Sequence, residues 1–342
     1  MPPLDEGWES MGWDDWADLA QVRRRLDQGA DPNTARDTPP LHRAAEAGTP
    51  EVVAELARLV DDVDEEWEGH TALFAAVFYK NAAAAKVLVE AGADPWREMI
   101  GHWSPGRLNL AGPTPGLFHV PRGQAVLSWP ERAAAAEARL LNAALSSYEV
   151  DDNTGLACVA GLGVAEVIRR LGAERLTETG PGSLVDDIME DPMSHPMDES
   201  ARVVGVTEVP GGCVLVQPWG CTPNMPGLLD PLTEGTIGYG YYANPKGAEH
   251  GSLMVNGHLQ RQEELGLFPP ESWWGWDYDG EVEYRRCAAL AMDVFYAYLL
   301  GHSAAYACAM TGLRPADARA FDGTPDQWIR LPASWQTAAS MD

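Results

Sequence analysis

The chain has 342 residues, of which 45% are hydrophobic, and a formal net charge of −27. This length and apolar content predict two domains with real cores and exclude disorder of the whole chain. The negative charge repels phosphate backbones and anionic surfaces, so we expect no binding to nucleic acid or to membranes. The same charge keeps a protein soluble, and it also favours a basic protein partner.

The start of the chain and its cysteines predict a cytoplasmic location. The first residues, MPPLDEGWESMGWDDW, are acidic and lack the basic start and apolar core of a signal peptide. No apolar run approaches the roughly 18 residues that cross a bilayer. The five cysteines form no CxxC pair and are odd in number, which favours reduced thiols.

The first third of the chain contains an internal repeat. GADPN at 29–33 recurs as GADPW at 92–96, and between them PPLHRAAEAG at 39–48 is followed by TALFAAV at 71–77. The period of about 32 residues resembles that of the ankyrin repeat, whose unit reads turn, TPLHxAA helix, second helix, GADxN turn. The resemblance covers about residues 10–97 and continues in degenerate form to about 146. It implies an all-α solenoid that binds proteins.

Each repeat carries signals for where its helices start and stop. Thr49-Pro50-Glu51 predicts a helix start, with an N-cap, a proline and an acid in the first turn. Gly29 and Gly92 predict helix ends in the left-handed conformation, which glycine adopts without strain. We therefore expect ankyrin-type helix pairs over residues 16–97, with positive φ at both glycines.

The turn of the second repeat, DDVDEEWEGH at 61–70, replaces GADPN. Family members generally bind proteins through such projecting turns, called fingers, so we interpret this finger as a site for a basic partner with Trp67 as its anchor. The alternative is a solvated acidic turn with Trp67 folded onto the next repeat. The candidate partner-binding residues are Asp62, Glu65, Glu66, Trp67, Glu68 and His70.

A segment rich in Gly, Pro and Trp, at about 97–129, interrupts the repeats. Its prolines exclude a long helix, yet Trp103 and Phe118 need burial, so we expect an ordered insertion packed on the solenoid or the second domain. It is either a cap of the repeat stack or a binding loop. The following ERAAAAEARLLNAAL is interpreted as the second helix of a degenerate last repeat, which places the first domain at 1–148.

The second domain, predicted at 151–335, has the pattern of an α+β domain with an antiparallel sheet and helices. Strands are expected at 154–162, within a hairpin at 201–220, at 236–244 and at 251–262, and helices at 163–173, 282–300 and 303–311. GLACVAGLGVAEVIRRLGA and GGCVLVQPWG resemble a domain of unknown function common in actinobacteria, over about 154–330. The resemblance implies a bacterial source and no activity. Some bacterial immunity proteins share this general architecture.

No catalytic, cofactor or metal motif is present in the sequence. The eight histidines include no HExxH pair, and no GxSxG or Walker motif occurs, so we expect no cofactor and no metal. The main interpretation is a protein-binding adaptor or an immunity-like inhibitor that uses the ankyrin face. The alternative is an enzyme of unknown reaction, for instance in specialised metabolism, with a small-molecule pocket at the domain junction. The candidates for that pocket are Trp96, His102, Trp103, Arg107, Trp273 and Trp276.

Overall fold

A computed structural model of the chain describes residues 7–34, 38–99, 103–123, 126–149, 153–177, 180, 182–192, 195–244, 249–265 and 303–335. These residues fall into two compact units, and the chain passes from the first to the second between Ala136 and Glu137. This division lies inside a helix that the sequence interpretation placed wholly in the first domain. The limits 1–148 and 151–335 remain predictions.

The first unit is built from paired helices with one short hairpin. Two 3-10 helices, Trp8–Ser10 and Trp13–Ala17, come first. The helices that follow are α1 Leu19–Asp27, α2 Pro40–Ala47, α3 Pro50–Ala57, α4 Ala72–Phe78, α5 Ala82–Glu90 and α6 Pro105–Ala111, and α7 Trp129–Ala144 runs from the first unit into the second. The hairpin consists of strands β1 Glu66–Trp67 and β2 His70–Thr71.

Helix α3 begins at the predicted cap Thr49, and α1 and α5 end shortly before the predicted glycine stops. Side-chain oxygens of Asp18, Thr49 and Asn81 accept hydrogen bonds from the first backbone N–H groups of α1, α3 and α5, which would otherwise lack acceptors. Gly29 and Gly92 have φ values of 97° and 107°. The helix pairs over residues 16–97 and the two positive φ values are thus confirmed.

The helices stack in two rows. Helices α1, α3 and α5 pack side by side in one row, and α2, α4 and α6 pack in the other. Small side chains permit this close approach, and Ala44, Ala45 and Leu73 are fully buried. The Asn81 side chain adds a polar link, because its Nδ2 atom donates to the carbonyl oxygens of Ala45 and Gly48 at 3.2 and 2.9 Å. Each repeat therefore depends on its neighbour for its core.

Helix α6 lies inside the segment that the sequence interpretation treated as an insertion without a helix. Ser104 caps it as Thr71 caps α4, and Ser104 follows Thr71 by 33 residues, one repeat period. Two aromatic side chains of this segment are buried as expected, since Trp103 is 1% exposed and Phe118 is 9% exposed. The segment thus begins a fourth helix pair.

The second unit is an eight-stranded sheet with helices. Its strands are β3 Gly155–Ala160, β4 Glu174–Arg175, β5 Val203–Val209, β6 Gly212–Gln217, β7 Ile237–Tyr242, β8 Glu249–Val255, β9 His258–Leu265 and β10 Gln327–Arg330. Its helices are α8 Val164–Leu171, α9 Leu184–Glu190, α10 Met197–Ser200, α11 Pro226–Leu232, α12 Ser303–Thr311 and α13 Arg319–Asp322. The strand order is β4-β10-β5-β6-β3-β7-β8-β9, and every neighbouring pair is antiparallel.

Helices cover both faces of this sheet. Ala157 and Val159 of β3 join a buried cluster with α8 and α11. Between them Cys158 points the other way, and its Sγ lies 3.9 Å from that of Cys308 on α12. The predicted α+β class with an antiparallel sheet is confirmed. The predicted helix at 282–300 lies outside the described residues.

Candidate functional site

The tip of the second finger is a short hairpin of two paired strands. Trp67 pairs with His70 across the two strands, and Glu66 pairs with Thr71. The two linking residues, Glu68 and Gly69, have φ values of 49° and 78°. Two consecutive residues with positive φ form the tight turn that matches the twist of paired strands. Trp67 therefore lies on a paired strand directly before the turn.

Side-chain exposure on the finger agrees with a contact surface. Trp67 is half-buried, so part of its ring is accessible, as the anchor interpretation requires. The acids around it are exposed, and no cation among the described residues pairs with three of them: Asp62, Glu65 and Glu68. The finger therefore presents one aromatic side chain among free carboxylates.

Glu66 differs from the other acids because it is already paired. Its carboxylate accepts from the guanidinium of Arg97, a residue in the next finger. Arg97 also donates to the carbonyl oxygen of Asp64 at 3.0 Å. The only sequence signal for Arg97 is its position directly after GADPW. Glu66 thus contributes less to the attraction of a partner than sequence alone suggests.

Hydrogen bonds connect the three fingers in series. The backbone N–H of Asp61 donates to Asn33 Oδ1 in the first finger at 2.8 Å. The backbone N–H of Asp94, in the third finger, donates to the carboxylate of Asp64 at 3.0 Å. The pKa of the Asp64 carboxyl is raised overall, because the effect of burial exceeds the lowering effect of that hydrogen bond. These bonds hold the fingers as one surface.

His70 is not part of the accessible surface, which corrects its assignment as a contact residue. It is 2% exposed, and its carbonyl oxygen accepts from the Nε2 atom of His42 at 3.0 Å. Burial lowers the pKa of His70 to about 4, so its ring is neutral near pH 7. His70 therefore lies buried at the base of the finger, where its backbone carbonyl is held by His42 of α2.

The junction candidates that the structure describes are packing residues of the first unit. The Trp96 indole Nε1 donates to the carbonyl oxygen of His119 at 3.1 Å. Trp103 is buried, and the Arg107 guanidinium lies 5.1 Å from its ring centroid. Arg107 also pairs with the carboxylate of Glu131, and both side chains are mostly buried.

The other candidates for a junction pocket, His102, Trp273 and Trp276, lie outside the described residues. In the part of the chain that the structure describes, no group of three His, Cys, Asp or Glu side chains could hold a metal ion. Within that part, too, no helix has the length and apolar character needed to cross a bilayer.

Capped helix pairs, glycine stops and linked fingers define the first unit as a helical repeat. A family model described as ankyrin repeats, in three copies, matches residues 17–99. This stretch therefore consists of ankyrin repeats, as the resemblance implies, and such repeats support a role in binding another protein. No curated protein matches the chain.

Proposed function

We propose that this protein is an adaptor or inhibitor that binds a basic protein partner through the second ankyrin finger. The observation that carries the proposal is a half-buried Trp67 on a paired hairpin strand, beside Asp62, Glu65 and Glu68, whose carboxylates pair with no cation among the described residues. Tryptophan is enriched among the residues that dominate binding energy, because it supplies a large contact area at a small cost in entropy. The site thus combines an anchor with a local negative field.

The charge of the whole chain supports a basic partner. At a net charge of −27, long-range attraction raises the rate at which a basic protein meets the finger. The free acids lie at the edge of the contact, where charges change association more than they change final affinity. We therefore assign Asp62, Glu65 and Glu68 to steering and Trp67 to holding the partner.

The reduced cysteines agree with the proposed cytoplasmic setting. Four cysteines among the described residues, Cys158, Cys213, Cys221 and Cys308, are free thiols. Free thiols are typical of proteins from reducing compartments. An adaptor or inhibitor in the cytoplasm of an actinobacterium remains our proposal for the setting.

The experiment is a capture from lysate of the native host at low and high salt, with quantitative mass spectrometry. Full-length protein is compared with Trp67→Ala and with a triple variant, D62S/E65S/E68S. A matched control, D187S/E190S/D230S, removes the same charge from exposed positions of the second unit. We expect basic proteins that are retained by the control and lost by both finger variants. Equal retention by all four proteins contradicts the proposal.

A further inference from the structure

The fourth helix pair begins in register but stays incomplete, because α7, which the sequence pattern assigned to its second helix, begins only at Trp129 and does not pack along α5 as α5 packs along α3. Its first helix, α6, packs on α4 as α4 packs on α2. After α6 the chain reads Gly112-Pro113-Thr114-Pro115, and the equivalent Gly48-Thr49-Pro50 starts α3. A second helix should therefore begin near Pro115 and lie beside α5. Residues 112–123 contain no helix.

Local chemistry explains why that helix does not form. Gly116 has a φ of 94°, which is incompatible with a right-handed helix. The Asn109 side chain fixes the turn, because its Oδ1 accepts from the backbone N–H groups of Gly116 and Leu117 at 3.1 and 2.9 Å. Its Nδ2 donates to the carbonyl oxygen of Thr114 at 3.0 Å. Pro121 would also break a helix that began near Pro115 and continued through this position.

An open groove of about 430 Å³ remains beside α5. One wall is Lys86, Val89 and Glu90, which share one face of α5 because they are three and four positions apart. The opposite side is formed by Pro95, Trp96, Leu117, Phe118, His119 and Pro121. The floor is apolar, and the exposed charges of Lys86 and Glu90 flank it one helical turn apart.

The repeat itself indicates what fits this groove. The corresponding flank of α3 is covered by α5, and α3 in turn packs on α1. Among the described residues, the row of helices α1, α3 and α5 ends at α5, where Lys86 stands one repeat period after Ala54 and Glu90 one period after Arg58. The next occupant of such a row is another helix in the same orientation.

We propose that an α-helix of a partner protein docks in this groove and takes the position of the missing second helix. Its apolar stripe packs on Val89, Trp96 and Leu117. It places an acid toward Lys86 and a base toward Glu90, one helical turn apart. This surface differs from the second finger, so the proposal goes beyond the proposed function and defines a second interface.

The test uses a displayed library of 16-residue peptides selected on the full-length protein, with Val89→Arg as the counter-selection target. We expect enriched peptides with apolar residues at helical spacing and with an acid and a base four positions apart. A labelled enriched peptide should gain helical circular dichroism on binding, and its affinity should fall at least tenfold for Val89→Arg.

A second variant keeps the test valid should Val89→Arg unfold the repeat. The exchange K86E/E90K alters only exposed side chains, so folding should be unaffected, and selection on it should return peptides with the acid and base reversed. The finger variant D62S/E65S/E68S should bind the peptides as the unmodified protein does, which separates this proposal from the finger site. The proposal would be overturned if no peptides were enriched, or if the enriched peptides were extended or proline-rich. It would also be overturned if the K86E/E90K exchange left the order of acid and base in the peptides unaltered.

Discussion

The Nε2 atom of His42, on helix α2, lies 3.0 Å from the carbonyl oxygen of His70, at the base of the second finger. The two rings also meet edge to face, with centroids 5.5 Å apart. Both residues are 2% exposed, and burial lowers the pKa of each to about 4. Two neutral histidines therefore join the second repeat to the base of the second finger.

This pair makes the first unit sensitive to acid. Each histidine binds a proton near pH 6.5 when unfolded but only near pH 4 when folded, so the unfolded state gains protons first as pH falls. Stability is complete above about pH 6.5 and declines toward pH 4. Between pH 7.5 and 5 we expect a loss of about 2 kcal/mol per histidine. Hydrogen exchange of peptides from residues 40–78 measures it.

The control for this pH dependence is a comparison of variants. In His42→Gln, the loss of stability between pH 7.5 and 5 should be about half of that in the unmodified protein. In His119→Gln, which changes an exposed residue, the loss should be undiminished. Contributions from carboxyl groups are common to all three proteins and cancel in the comparison. An unchanged slope in His42→Gln would refute the role of the pair.

Substitutions of Gly92 test whether its left-handed conformation is needed to end helix α5 of the third repeat. A Cβ atom built there contacts nothing within 4 Å, so a substitution measures backbone strain alone. Gly92→Val should lower the free energy of unfolding by more than about 1 kcal/mol, because a β-branched residue tolerates a φ of 107° poorly. Gly92→Asn should cost less, since asparagine adopts left-handed conformations more readily. Urea unfolding followed by circular dichroism compares the two.

Gly106 and Gly227 form a matched pair of helical glycines. A Cβ at Gly106 would lie 2.6 Å from the Trp96 ring and 2.8 Å from the Pro95 carbonyl oxygen, whereas one at Gly227 meets nothing within 4 Å. Gly106→Ala should therefore destabilise by about 1–3 kcal/mol through overpacking. Gly227→Ala should stabilise by up to about 1 kcal/mol through helix propensity. Equal thermal shifts in the two variants would contradict this account.

Once a partner has been identified, binding kinetics distinguish the role of Trp67 as anchor from the role of the acids in steering. The D62S/E65S/E68S variant should associate more slowly, with a weaker dependence on salt and nearly unchanged dissociation. Trp67→Ala should instead dissociate faster, at a cost on the order of 2 kcal/mol. Surface plasmon resonance at several salt concentrations measures both rates. A Trp67→Ala effect confined to association would remove its role as anchor.

The sequence by itself determined the local features of this protein. Spacing and caps such as Thr49 located the ankyrin helix pairs, and alternating apolar residues located most strands of the second unit, because these signals act between neighbours in the chain. Helix α6 had such a signal too, one period after Thr71. Gly106 obscured that signal, because the other repeats have a residue with a side chain at this position. A glycine is needed here because the Trp96 ring occupies the space that a Cβ atom would fill.

Contacts between distant residues were decided only by the tertiary structure. It buried His70, paired Glu66 with Arg97 of the next finger, and left Trp67 partly exposed. It also set β3, the first long strand in the chain, between β6 and β7 in the middle of the sheet. The charge and hydropathy of a side chain indicate whether it favours burial, exposure or an oppositely charged partner. Which partner satisfies that preference depends on how repeats and strands far apart in sequence come to lie side by side.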